Sequence, residues 1–189
     1  MTSLLLCFSP VFPRSKKLDT ESELYDEALR ALMRRPHSVH EMQKLLNRRA
    51  TSDLLAQVVL ARLKENGSLN DDRYAKQFTR QRTEIRRQGK YRIARDLRAR
   101  GVPDAQIQSA LEESADQAAE RAAIRHRINR KLKLTLSKSG SREISDKKIA
   151  SLYRSLLAAG FPSDAIRREL KSITAEEVPA IEDPQDVED

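Results

Sequence analysis

Residues 152 to 170, LYRSLLAAGFPSDAIRREL, lie over residues 93 to 111, IARDLRARGVPDAQIQSAL, without a gap, and seven of the nineteen positions are identical. Arg95 pairs with Arg154, Leu97 with Leu156, Ala99 with Ala158, Gly101 with Gly160, Pro103 with Pro162, Ile107 with Ile166, and Leu111 with Leu170. Ile93 faces Leu152, and Val102 faces Phe161. A recurring helical unit of this size cannot bury its apolar face alone, so copies stack. Stacked architectures bind long partners more readily than they enclose small substrates.

Reading outward from the duplication, the chain resolves into helices with recognisable ends. The apolar positions Leu24, Ala28, Leu29, Leu32 and Met33 follow helical spacing from about Ser22, and Pro36 stops the run. Ser38 with Glu41 forms a capping box ahead of Met42, Leu45 and Leu46. Thr51, Ser52 and Asp53 offer the next N-cap, for a helix through Leu54, Leu55, Val58, Val59 and Leu63 that ends at Asn66-Gly67. Asn70 or Asp71 opens a helix whose buried stripe is Tyr74, Ala75, Phe78 and Ile85, and Gly89 breaks it. Two shorter helices follow, separated by Gly101 and Pro103, with Ile93, Leu97, Ile107, Ala110 and Leu111 inward. From Asp116 an Ala-rich basic helix carries Ile124 and Ile128, and residues 133 to 144 read as a polar connection. Ser145 caps a helix burying Ile149, Leu152, Leu156 and Leu157, and Ser163 or Asp164 opens the last one.

The expected fold is all-α: three tandem three-helix, helix-turn-helix-like repeats forming an elongated body whose curvature the sequence leaves open. The expected divisions are a mobile leader at 1–20, repeats at 21–66, 67–113 and 114–172, and an acidic tail at 173–189. The first repeat is the loosest copy. Met42, Leu46, Asp53 and Leu60 fall under Ile93, Leu97, Asp104 and Leu111, but Ala50 stands where the others have glycine and Thr51 where they have an apolar residue. Terminal units diverge because they have one neighbour to pack against. The residues expected to hold the fold are Leu69, Asp71, Tyr74, Phe78, Ile93, Leu97, Gly101, Ile107 and Leu111 in the central repeat, with Gly160, Phe161, Ile166 and Leu170 in the last.

Charge is distributed unevenly. The net charge is +8, yet Glu176 to Asp189 holds seven acidic residues and no basic one, which leaves the preceding 175 residues with +15. A body that basic fits a polyanionic or acidic partner. From Arg80 to Arg100 nine basic residues meet only Glu84 and Asp96, and Arg121, Arg125, Arg127, Arg130, Lys131 and Lys133 follow. The candidate contacts are Arg80, Arg82, Arg86, Arg87, Lys90, Arg92, Arg95 and Arg98, with Gly89 letting the main chain approach a phosphate backbone. Tyr91 is the single aromatic between Arg80 and Arg100 and there is no Asn, which leaves little for base-specific reading. The same arginines suit an acidic protein surface equally well.

Chemistry-bearing patterns are sparse. His37, His40 and His126 have no metal-ligand spacing, and Cys7 has no base partner. Asp71 and Asp72 are the one tempting carboxylate pair, and helix capping explains them better than a nuclease site. A single cysteine excludes a disulfide framework, and the apolar run Leu4 to Phe8 is too short to span a bilayer. No cofactor and no metal are expected, and the chain reads as a cytoplasmic monomer without enzymatic activity.

GSLNDDRYAKQF (67–78), RQGKYRIARDLRARGV (87–102) and LYRSLLAAGF with Ile166 and Leu170 together resemble the RecX family of bacterial recombination regulators. PHSVHEMQKLL (36–46) is similar to that family's first repeat. The resemblance implies tandem three-helix repeats that lie in the groove of the RecA filament, block its growth and promote its disassembly. RecA's ATP hydrolysis and strand exchange would fall, with effects on recombination, repair and the SOS response. Direct contact with single-stranded DNA stays open, and some relatives bind DNA. The missing first-repeat glycine and the acidic tail depart from the family pattern. The alternative reading is a stand-alone helical nucleic-acid-binding protein of nucleoid or transcription-factor type.

Overall fold

The computed structural model describes residues 17–139 and 145–176. The helices among them, in chain order, are α1 (Glu21–Arg34), α2 (Val39–Arg49), α3 (Asp53–Glu65), α4 (Asp71–Glu84), α5 (Lys90–Arg98), α6 (Asp104–Glu113), α7 (Gln117–Ser139), α8 (Asp146–Ala158) and α9 (Ser163–Glu176). Contacts divide the chain into two compact units, Met1–Asn70 and Asp71–Asp189. No described helix is long and apolar enough to cross a membrane. Most of the acidic tail, the leader up to residue 16 and Cys7 lie outside the described residues.

The first unit is a three-helix core. Thr20 caps α1, and Ser38 and Glu41 form the capping box of α2, each satisfying a first-turn N–H. Ser52 does the same for α3. Leu24, Ala28, Met42, Leu46, Val59 and Leu63 meet in the middle. Leu69, expected in the central repeat, packs into this cluster instead, because its N–H donates to the Leu63 carbonyl and folds the chain back over α3. Two α3 positions also depart from expectation. Leu54 is 72% exposed and Val58 44%, since the inward stripe runs through Ala56, Val59, Leu60 and Leu63. Met33, in the last turn of α1, is 86% exposed.

Ala50 shows how the first copy manages without its glycine. Its φ of −74° and ψ of 152° take the chain out of α2 in extended form. There it makes a parallel bridge with Leu18, whose N–H reaches the Arg49 carbonyl at 2.8 Å and whose carbonyl accepts from Thr51 at 3.0 Å. Leu18, read as part of the mobile leader, is thereby fastened to the end of α2. Ala50 itself is buried. A left-handed residue is unnecessary at an exit of this kind.

The second unit holds two clusters. Tyr74, Ala75, Phe78, Ile93, Leu97, Val102 and Ile107 form one, with Leu111 packed against it. Ile124, Ile128, Leu152, Leu156, Phe161, Ile166 and Leu170 form the other. α7 supplies Ile124 and Ile128 as α4 supplies Tyr74 and Phe78, four residues apart on one face. Ile85 falls just past α4 and is 74% exposed, so it is not part of the buried stripe. Leu157 is likewise outward, a third of a turn from the buried Leu156. The segment read as a polar connection from residue 133 is helical to Ser139, a continuation of α7.

Gly101 and Gly160 end α5 and α8 in the same way, with φ of 72° and 89°. The N–H of Val102 returns to Leu97 and that of Phe161 to Leu156, closing the last turn of each helix. Gly160 has a second task. The Gly89 N–H donates to the Ala159 carbonyl at 2.9 Å, and the Tyr91 N–H to the Gly160 carbonyl at 3.1 Å. α5 has no side-chain cap, and the carbonyls at the end of α8, which have no helical partner, take that role. A Cβ on Gly89 would fall on the Gly160 carbonyl, and one on Gly160 would fall on the main chain of Arg92.

Gly160→Ala should cost about 2–4 kcal/mol of unfolding free energy, from the left-handed backbone and the main-chain clash together. Gly89 has an ordinary φ of −79°, so Gly89→Ala tests the clash alone and should still cost well over 1 kcal/mol. Gly67 has a φ of 70° but open space around it, so Gly67→Ala should cost only about 1 kcal/mol. Urea denaturation of the three variants checks the ranking.

Candidate polyanion-binding face

The basic residues between Arg80 and Arg130 divide into those spent on the fold and those left facing solvent. Arg127 belongs to the first group. From α7 its Nε donates to the Arg87 carbonyl at 3.0 Å and its Nη2 to the Arg86 carbonyl at 3.1 Å, while its guanidinium lies 5.9 Å from the Phe161 ring. This clasp meets the backbone where it is strained. Arg87 has a φ of 47°, a left-handed conformation that costs a non-glycine residue about 1–2 kcal/mol. Burial, then Arg130 and Arg92, push the Arg127 guanidinium below its ordinary pKa.

Arg121 and Arg125 are also structural. Glu169 is 2% exposed, and its two carboxylate oxygens accept from Arg121 Nε at 3.0 Å and Arg125 Nε at 2.6 Å. Burial alone would raise the Glu169 pKa, but the two guanidiniums outweigh it and hold the carboxyl below its usual range. Glu169 stands where the middle copy has the buried Ala110. An acid replacing a small apolar residue at an inward position, with arginines four apart on a neighbouring helix, is a signal that the repeat comparison contains and that reading for motifs passed over.

Gly89, expected to admit a phosphate backbone, instead admits the main chain of Gly160. Of the eight candidate contacts, Arg80 is 3.0 Å from Glu84 and Arg98 is 2.7 Å from Asp104. Arg95 is 3.8 Å from Asp96, a loose pairing. These exposed pairs neutralise charge and contribute little stability. Asp72, from the carboxylate pair, lies 3.5 Å from Lys76, which also reaches Glu113 at 2.9 Å.

The remaining candidates converge, and Arg100, outside the candidate set, joins them. Arg82 and Arg100 both lie against the Phe78 ring, at 4.7 and 5.2 Å. Burial, then Arg86, push the Arg82 guanidinium below its ordinary pKa, with Arg100 and Arg92 acting in the same direction and Asp96 against it. Arg92 sits close by, its Nη1 donating to the Ala158 carbonyl at 3.3 Å. The edge of α7 continues the field. His126 is pushed below its ordinary pKa by desolvation and then by Arg87, Arg130 and Arg127. Arg86, Arg87 and Arg130 are exposed, and their side chains have no acidic partner among the described residues. Lys90 lies 5.6 Å from the ring of Tyr91, which is 61% exposed. The result is a face on the end of α4, the start of α5 and the middle of α7 in which guanidiniums crowd together, with Asp96 acting against them at Arg82. Lys133, at the end of the basic run, lies outside the residues whose side chains are described. Such an arrangement binds anions, because each incoming negative charge relieves repulsion among the cations.

Arg100 and Arg127 stand in the basic run of the sequence but outside the candidate contacts, and His126 reads from the sequence as a surface or capping residue. Arg100 sits at the end of α5 and reaches Phe78 only because α4 packs on that turn.

Residues 70–111 match the family described as RecX, second three-helix domain. The chain is 44% identical over 89 residues to Regulatory protein RecX of Halorhodospira halophila, a match covering 47% of this chain and 55% of that relative. It is 34% identical over 157 residues to Regulatory protein RecX of Prosthecochloris aestuarii, covering 82% of this chain and 95% of the relative. A crystal structure of RecX from Lactobacillus salivarius matches with a TM-score of 0.68 at 20% identity, over 82% of this chain and 97% of that one.

Glu169→Gln, which removes the charge and keeps the shape, should lower unfolding free energy by about 1–3 kcal/mol at neutral pH. The folded carboxyl titrates below the unfolded one, so its contribution is present above the unfolded pKa of about 4.3 and is lost as pH falls through the folded value. Urea midpoints between pH 6 and pH 3 should fall less steeply in the variant than in the parent.

Proposed function

The chain belongs to the RecX family, and from that premise we propose that it binds the RecA nucleoprotein filament in its groove and restrains RecA. Filament extension, ATP hydrolysis and strand exchange fall when it binds, and recombination, repair and the SOS response are damped in turn. It acts by occupancy, without a reaction of its own. The observation that carries the reading is the crowded guanidinium face around Arg82, Arg86, Arg92 and Arg100, opposed by Asp96. A filament of RecA on single-stranded DNA presents phosphate and acidic side chains along one continuous path, and a face of this kind suits such a path. Repeat architecture adds length to the contact.

RecA ATPase on single-stranded DNA, measured with and without the protein, tests the reading. Full inhibition by the parent is expected. Arg86→Glu, Lys90→Glu and Arg130→Glu together should raise the concentration needed for half-inhibition by at least about tenfold while leaving helix content unchanged. Inhibition undiminished in that triple variant overturns the assignment of this face, and tight DNA binding without any effect on RecA favours the stand-alone DNA-binding reading.

A further inference from the structure

The last repeat ends in an open groove. Between α8 and α9 a cavity of about 590 Å³ has an apolar floor of Ile149, Ala150, Tyr153 and Leu170. Arg154, Arg167 and Lys171 form its rim, with Asp146 at one end. Arg154 and Arg167 are exposed and have no acidic partner among the described residues.

The segment that follows α9, EVPAIEDPQDVED (177–189), has the composition to fill this groove. It offers Val178 and Ile181 to an apolar floor and six carboxylates, with no basic residue, to a cationic rim. α9 ends at Glu176, five residues beyond Lys171, and extended chain spans about 3.3 Å per residue, so a 13-residue segment is long enough to reach the whole groove.

We propose that the α8–α9 groove is the docking site of the chain's own acidic C-terminal segment, residues 177–189. The segment covers the apolar floor of the groove and neutralises Arg154 and Arg167. The proposal stands apart from what the guanidinium face binds.

Disulfide trapping in the full chain tests it. Cys7→Ser removes the native thiol, and Ile181→Cys is combined either with Ala150→Cys in the groove or with Ala122→Cys, an exposed position on α7 that lines no part of it. Under mild oxidation the 150–181 disulfide should form within one chain at least about tenfold faster than the 122–181 disulfide, reflecting the higher local concentration of a docked segment. Arg154→Glu with Arg167→Glu should slow it by a similar factor, and adding Glu182→Lys with Asp183→Lys should restore it. Equal rates at the two positions overturn the proposal. So does a disulfide that joins two chains, which would assign the groove to a second copy, or a rate indifferent to the charge reversals.

Discussion

Two main chains meet without side chains between them at Gly89 and Gly160, and much of the second unit depends on that approach. The end of α8 has carbonyls with no helical partner, and the start of α5 has N–H groups with none. Bringing one to the other satisfies both, provided that neither residue carries a Cβ. Gly160 must in addition hold a left-handed φ to end α8. One residue thus closes its own repeat and receives the neighbouring one.

The electrostatics follow from the same junction. Docking α8 on α5 brings α7 alongside the turn after α4, where Arg127 clasps the Arg86 and Arg87 carbonyls and supports the strained backbone of Arg87. It also presses guanidiniums of separate helices into one field, with burial adding to their mutual repulsion at Arg82 and Arg127. Several other arginines of this unit are compensated. Glu169 answers Arg121 and Arg125, Glu84 answers Arg80, and Asp104 answers Arg98.

The helical fold was legible because its signals are local. Capping residues, terminating glycines and the spacing of Leu and Ile each act within a turn or two of chain, and the duplication tied them into units. Helix register was less legible where apolar residues cluster. In α3 the run of Leu54, Leu55, Val58, Val59, Leu60 and Leu63 offers two inward stripes, and packing against α1 and α2 decides between them. The outward position of Leu157 had a trace in the sequence, since its counterpart in the middle copy is Arg98. The site was legible as a region and not as a set of residues. Whether an arginine pairs internally depends on acids distant in sequence, as Arg125 and Glu169 show, and on backbone carbonyls, as Arg127 shows. Gly89 was noticed for the right property, close main-chain approach, and assigned the wrong neighbour.

Photo-crosslinking from the exposed Tyr91, replaced by a benzophenone amino acid in the full chain and mixed with RecA filaments on single-stranded DNA, tests the central claim most directly. The expected result is a covalent adduct to RecA or to the DNA from position 91, lost when Arg86, Lys90 and Arg130 are reversed to Glu. Formation of the inhibited complex with no adduct from position 91, and with adducts from Leu54 in the first unit instead, would contradict it.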